Sequence, residues 1–496
     1  MKARFCRGAI SGAAVIALVA LPLDAQVAQR DYQARRAALA ASVGDGVILV
    51  FGATEPVEPY APLAQRPRFF YLTGFNEPDA ALVLVKRGSQ VREMIFVMPR
   101  DPAAEVFNGA REGVEGVQRR IGVQARNMES LEATLDTLLA TDTALYVVGD
   151  YSPQQRLASQ HDLFVERLSG KFPRLVGTSI NRNVDVLRRV KNAAEIDLLR
   201  KAVAITVDAQ REAMRAIRPG LNEFEIQALI EYTFRRNGAD RPAFGSIVGS
   251  GPNSTTLHYR AADRIMNDGD VVVMDIGASY RGYAADVTRT VPVNGVFSPA
   301  QREIYQAVRD AQAGAERQAK VGALARTMSD SATESLAASL AKLGLIESPA
   351  ATFDCDTRSG PATCPQYRLY YMHGLGHGIG LDVHDPWRAG ATDVLTAGHA
   401  FTIEPGIYVR ANTIDIIPDT PRNRALKDRV RPAVARYANI GVRIEDDYLV
   451  TANDVEWISR APREISEIEA LMKNRSAAPA PRDAAKVEWY RATTPP

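Results

Sequence analysis

The chain has 496 residues, 46% of them hydrophobic and 24% charged, with a formal net charge of +2 at pH 7. That length exceeds one ordinary core, so two domains are the natural division. Ordinary composition and nearly balanced charge exclude nucleic-acid binding and a membrane-surface role as leading readings.

The N-terminus has its own pattern. Lys2, Arg4 and Arg7 precede an apolar run from Ala9 to Leu23, and Leu23-Asp24-Ala25 places small residues at a cleavage position. This reads as a secretory signal peptide over residues 1–25, too short for a membrane span, and predicts a secreted or periplasmic protein with no stable membrane insertion after cleavage. Cleavage removes Cys6 and leaves Cys355 and Cys364 in one Pro/Gly/Thr-rich loop. In an oxidising compartment the pair reads as a local disulfide, with two free thiols as the alternative.

Residues 26–188 read as a separate α/β domain. Short apolar runs at Val47–Phe51, Ala81–Val85, Met94–Met98 and Ala144–Val148 alternate with helical stretches such as Met128–Leu139, the pattern of a mixed sheet with helices. From residue 189 to 473 the pattern changes. Asn192 with Glu195, Asn222 with Glu225 and Ser298 with Gln301 resemble capping boxes at helix starts, and a fourth helix spans roughly Ser329 to Leu343. Helices segregated from strands give an α+β layer architecture. Residues 474–496 are Ala/Pro-rich and read as a flexible tail.

Between the helix pairs, Val271–Thr290 reads as an antiparallel hairpin about a tight Arg281-Gly282 turn. A two-residue turn sets Tyr280 opposite Tyr283 and Asp275 opposite Thr288. It also sets Asp286 opposite Gly277, so Asp275 and Asp286 share one face as diagonal neighbours roughly 7 Å apart. Two carboxylates that close on an apolar sheet need a proton or a cation between them.

Of the six histidines, His258 lies just before this hairpin, and His373, His377 and His384 lie in the segment His373–Asp385. Glycines at 374, 376, 378 and 380 make a regular helix there improbable and allow close approach of backbone and ligand. No Walker lysine follows, and the glycine spacing misses the dinucleotide fingerprint. His161 and His399 read as structural. Glu404 and Glu445 each interrupt an apolar strand, where an unpaired carboxylate is costly. Asp275, Asp286, Glu404, Glu445 and a histidine balance two divalent cations, and so oxygen-rich a set favours hard ions such as Mn²⁺. Two metals ~3.5 Å apart hold a bridging hydroxide at neutral pH and polarise a carbonyl, as amide hydrolysis requires.

At these residues the sequence resembles the pita-bread dinuclear metallopeptidases, in the aminopeptidase P and prolidase branch. The resemblance covers roughly residues 30 to 473. It rests on Ile247–Asn253 with His258-Tyr259, Asp275 and Asp286, the His373–Asp385 block, Thr402–Gly406 and Gly441–Asp446. It implies a pita-bread catalytic domain behind a smaller α/β domain. It further implies metal ligands Asp275, Asp286, His377, Glu404 and Glu445, with Asp286 and Glu445 bridging two ions, most commonly Mn²⁺ with Zn²⁺ or Co²⁺ as alternatives. His258, His373 and His384 match substrate-contacting positions, Arg443 a supporting arginine, and Glu404 the proposed proton shuttle. Phe69–Pro78 resembles the aminopeptidase P N-terminal domain, which implies cleavage of the bond between an N-terminal residue and a following proline by a homodimer or homotetramer. The 355–364 loop and the Arg-rich stretch 410–437 look like insertions, the latter read as a solvated face. Alternatives are a prolidase-type Xaa-Pro dipeptidase, a metal-free binding module on the same fold, and creatinase-like or methionine aminopeptidase activity.

Overall fold

The structure, a computed structural model, describes residues 27–57, 62–142, 144–151, 158–357, 359–388 and 392–476, with Ala485 and Glu488 alone beyond them. The signal-peptide segment and nearly all of the tail lie outside the described residues. Among the described residues no helix is long and apolar enough to cross a membrane.

The N-terminal apolar runs form one six-stranded mixed sheet. Gly46–Phe51, Ala81–Arg87 and Gln90–Val97 pair antiparallel, while Gln124–Asn127, Ala144–Val148 and Val176–Ser179 add in parallel. Ile48, Val50, Leu82 and Leu84 pack on one face and Val47, Leu49, Val83 and Leu145 on the other. Burial on both faces is why these strands read as unbroken apolar runs. The edge strands Gln124–Asn127 and Val176–Ser179 are short and largely polar, so patterning does not reveal them. The aromatic segment near residue 70 forms the helix Pro67–Thr73, with Phe69, Leu72 and Phe75 fully buried. It ends at Gly74, whose φ of 62° and packing against Tyr32, 2.5 Å from where a Cβ would stand, admit only glycine.

The expected caps organise the second half. Asn192, Asn222 and Ser298 start helices Ala193–Ala216, Glu223–Arg236 and Pro299–Gln318, each with a closed capping box. Such caps contribute about 1 kcal/mol each. Arg326–Lys342 packs along Pro299–Gln318. Antiparallel strands stand between the helix pairs. Val271–Ile276 pairs with Val287–Pro292 and with Ile247–Ser250. Ala400–Ile403 pairs with Asp446–Val450, and Gly406–Val409 with Ile440–Arg443. The hairpin register is as read: Tyr280 faces Tyr283 and Asp275 faces Thr288. Arg281 and Gly282 both have positive φ, 52° and 83°, the turn whose twist matches the flanking strands.

Two segments carry more secondary structure than the reading gives them, while the local disulfide and the solvated arginine face are as read. The 355–364 loop is a β-hairpin, Thr352–Thr357 with Gly360–Pro365, closed by a Cys355–Cys364 disulfide with Cα atoms 5.8 Å apart. The Arg-rich stretch contains the helix Pro421–Tyr437, which buries Leu426, Val430, Val434 and Tyr437 and leaves Arg424, Arg429 and Arg431 exposed. Asn423 Nδ2 donates to the Asp354 carbonyl at 2.8 Å, so the two insertions pack on each other.

Candidate metal centre

Each pair of site carboxylates comes from a break between strands. Asp275 is on Val271–Ile276, and Asp286 stands just before Val287–Pro292. Glu404 follows Ala400–Ile403, and Glu445 precedes Asp446–Val450, so the glutamates occupy strand interruptions and not strand interiors as the sequence reading placed them. The Glu445 N–H donates to the Thr288 carbonyl at 3.1 Å, which joins it to the aspartate hairpin, and the Glu404 N–H donates to the Leu375 carbonyl at 2.8 Å, in the glycine-rich segment.

Two glutamines hold these breaks open. Gln210 Nε2, on Ala193–Ala216, donates to the Met274 and Val287 carbonyls at 3.0 and 2.7 Å. Gln312 Nε2, on Pro299–Gln318, donates to the Ile403 and Ile444 carbonyls, both at 3.3 Å. One helix of each half thus supplies a buried amide beside a carboxylate pair, a duplication invisible along the chain. Sequence reasoning missed both, because a glutamine within a helix carries no signal of its own.

The side chains converge on His377. Its Nε2 lies 3.5 Å from Asp286 Oδ2, 3.5 Å from Glu404 Oε1 and 3.8 Å from Glu445 Oε1. Its Nδ1 stands 3.0 Å from the Gly378 carbonyl, which fixes the proton on Nδ1 and turns the Nε2 lone pair to the carboxylates. Arg443 Nη2 grips Asp275 Oδ2 at 2.6 Å, and Thr288 Oγ1 donates to Glu445 Oε2 at 2.7 Å. His373 Nδ1 is 3.7 Å from Glu404 Oε2, and the His384 ring lies 4.1 Å from the His377 ring. His258 is exposed and close enough to His373 to oppose its protonation. Eight of the nine residues singled out from the sequence are thus linked by close contacts, and His258 stands within electrostatic reach of His373. Tyr408 was not among them. Its hydroxyl is 2.8 Å from His373 Nε2 and accepts from Arg443 Nη1 at 2.9 Å, which links the histidine to the arginine.

The pocket fits divalent cations on two observations. Asp286, His377 and Glu445 present ligand atoms within 4.8 Å of one another. Asp275 Oδ1, Asp286 Oδ1 and Glu445 Oε1 are buried with no hydrogen-bond partner among the described residues, a costly arrangement unless a cation is the intended partner. Burial and mutual repulsion push Asp286 and Glu404 well above the usual carboxylate range and Glu445 to about 7. Burial, together with His384 for one and Arg443 for the other, lowers His377 and His373 to about 4, so both rings are neutral at pH 7. A carboxylate with a raised folded pKa holds a proton that the unfolded chain has released. Chelator-treated protein should therefore lose stability as pH rises from about 6.5 through about 7, above the range in which His373 and His377, lowered to about 4, contribute with the opposite sign. Thermal melts across that range check this, and saturating Mn²⁺ should flatten or reverse the trend.

Paired helices flanking bent antiparallel strands, behind a smaller α/β domain, define a pita-bread protein. Residues 197–452 match metallopeptidase family M24, and residues 32–146 match the aminopeptidase P N-terminal domain. The Xaa-Pro aminopeptidase of Haemophilus influenzae is 37% identical over 415 residues, covering 83% of this chain and 89% of its own. That of Escherichia coli is 33% identical over 459 residues, covering 90% and 98%. The solved structure of proline aminopeptidase P II from Yersinia pestis matches with a TM-score of 0.75 at 31% identity, over 90% of this chain and 99% of that one. The chain belongs to metallopeptidase family M24, in its aminopeptidase P branch. It is a peptidase that depends on divalent metal ions.

Proposed function

We propose that this protein is an exported Xaa-Pro aminopeptidase that removes an N-terminal residue preceding proline. The observation that carries the reading is the buried Asp286–His377–Glu445 cluster with its unpartnered oxygens, inside a chain similar over most of its length to Xaa-Pro aminopeptidases. Asp275, Asp286, His377, Glu404 and Glu445 would hold two divalent cations, Mn²⁺ first among them. Such a pair supplies Lewis acidity toward the scissile carbonyl and brings the pKa of a water near neutrality. The protein's own groups do the rest. Neutral His373, oriented by Tyr408, and His384 hold the substrate carbonyl region, and His258 lines the open side. Arg443 holds Asp275 in place through Oδ2, and Glu404 moves a proton through its carboxylate.

The division into 1–25, 26–188, 189–473 and 474–496 belongs to this reading, as does action in a periplasm or outside the cell. The Cys355–Cys364 disulfide fits an oxidising compartment. Assembly as a homodimer or homotetramer is part of it as well. The helix Pro102–Asn108 buries none of its residues and leaves Val106 and Phe107 exposed, which provides apolar surface for such contacts.

Dialysis against chelator should abolish hydrolysis of Arg-Pro-Pro, and Mn²⁺ should restore it. Turnover confined to dipeptides such as Gly-Pro would reassign the chain as a prolidase, and hydrolysis indifferent to metal would remove the reading altogether. In the same assay, His384→Ala should lower kcat by roughly 10²-fold while both ions remain bound. Loss of the ions would instead make His384 a ligand.

A further inference from the structure

We infer that Arg188 and Lys191, on the segment joining the two domains, are positioning residues that fix His384 through Asp385. The inference rests on the reading above, in which His384 contacts substrate.

Lys191 Nζ lies 2.9 Å from Asp385 Oδ2. Arg188 Nη2 contacts Asp385 Oδ1 and lies 2.6 Å from Asp382 Oδ2. The side chains of Arg188, Lys191 and Asp385 are only 2%, 1% and 1% exposed. Charges so far from water persist only when paired and hydrogen-bonded, and removing one partner leaves the others stranded. The backbone is tied as well: the Lys191 N–H donates to the Gly398 carbonyl at 2.9 Å, and Arg189 Nε to the Pro386 carbonyl at 3.1 Å.

The receiving loop is folded around the gripped carboxylate. The Asp382 N–H donates to Asp385 Oδ1 at 3.3 Å, and the Gly380 N–H to the Asp382 carbonyl at 3.1 Å. A methyl at Gly380 would stand 2.7 Å from Asp385 Cγ, so this glycine serves the clamp. His384 lies between the two aspartates in sequence, one bond from the more tightly held of them. The other end of the clamp is anchored in the N-terminal domain. Arg68 pairs with Asp185 through Nε and Nη2 at 2.7 and 2.8 Å, and the Tyr71 hydroxyl donates to the Leu187 carbonyl at 3.0 Å. Arg35 Nη2 pairs with Glu195 Oε2 at 2.9 Å just beyond the joining segment. The N-terminal domain thereby sets where His384 points.

A double-mutant cycle on the mature, Mn²⁺-loaded chain tests this, with Lys191→Met, His384→Ala and the pair assayed on Arg-Pro-Pro alongside Mn²⁺ calorimetry and melting curves. Lys191→Met should lower kcat by roughly 10- to 10²-fold, the effect of a small misplacement at a reacting centre, with Mn²⁺ stoichiometry and affinity retained. Lys191→Arg should recover most of the loss. In the His384→Ala background Lys191→Met should cost almost nothing more. Losses that add in full overturn the inference, because independent sites add and coupled ones do not; so does wild-type kcat in Lys191→Met. An unchanged kcat in His384→Ala alone removes the site reading first, and the inference with it. Should Lys191→Met not fold, Arg188→Lys keeps the charge, withdraws the one Nη2 atom that contacts both Asp385 and Asp382, and runs the same cycle.

Discussion

Asp286→Ala protein should retain no tightly bound divalent metal after gel filtration, and its kcat/KM should fall by roughly 10³-fold or more, about 4 kcal/mol of transition-state stabilisation. The expectation follows from where the carboxylate sits. Asp286 Oδ2 is 3.5 Å from His377 Nε2, Oδ1 has no hydrogen-bond partner among the described residues, and burial first, then Glu445, Asp275, Asp447 and Glu404, raise its pKa. A group in that position faces the other carboxylates of the cluster, so in the proposed two-ion reading it would serve both cations. Removing it would then take a ligand from each and leave only the outlying carboxylates to hold them. Asp286→Asn should fall nearly as far, because it keeps the shape and loses the charge. Metal content by mass spectrometry checks the result independently of turnover, and a variant that still carries two ions per chain would show that Asp286 is no ligand.

Much of this pocket was legible before any coordinates. The Arg281-Gly282 turn fixes the register of its hairpin, so the shared face of Asp275 and Asp286 follows from counting residues. Glu404 and Glu445 stand out as carboxylates in apolar surroundings, and the histidines as a cluster in a chain that has few. What the sequence hides is everything that depends on distant segments meeting. Gln210 and Gln312 look like any polar residue on a long helix, yet both donate to carbonyls beside the site. Tyr408 reads as one more aromatic in a strand. Arg188 and Lys191 carry no signal of their own along the chain, and only packing places them against Asp385, almost two hundred residues on. The Cys355–Cys364 hairpin was missed for a different reason: its strands are rich in Thr, Pro and Gly, and its pairing is closed by a covalent bond with few apolar cross-strand contacts.

Arg289→Met should be the most damaging substitution for stability, at about 3–5 kcal/mol, the range for breaking one side of a buried ion pair. For a domain of this size that lowers Tm on the order of 10 °C. Arg289 is fully buried, and all five of its N–H groups are used. Nε donates to the Pro462 carbonyl at 2.8 Å, and Nη1 to the Thr288 and Glu445 carbonyls at 2.9 and 2.7 Å. Nη2 donates to Asp446 Oδ1 at 2.6 Å and to the Ala461 carbonyl at 3.0 Å. One guanidinium therefore bolts the strand that follows Asp286 to the strand that follows Glu445, and draws the C-terminal segment over both. Asp446 keeps Arg463 at 2.9 Å when Arg289 is lost, so the anion is not left alone and the loss stays within that range. The Glu445 carbonyl loses its Arg289 donor and the Thr288 carbonyl keeps only the Glu445 N–H at 3.1 Å, and the spacing between the two ligand-bearing strands relaxes with them. Mn²⁺ affinity should consequently fall even in the fraction that folds, whereas a stabilising role confined to the core would lower Tm and leave the calorimetric isotherm where it was. Arg289→Lys separates charge from geometry: a single ammonium can reach Asp446 but cannot span both carbonyls, so it should recover part of the Tm and little of the metal affinity.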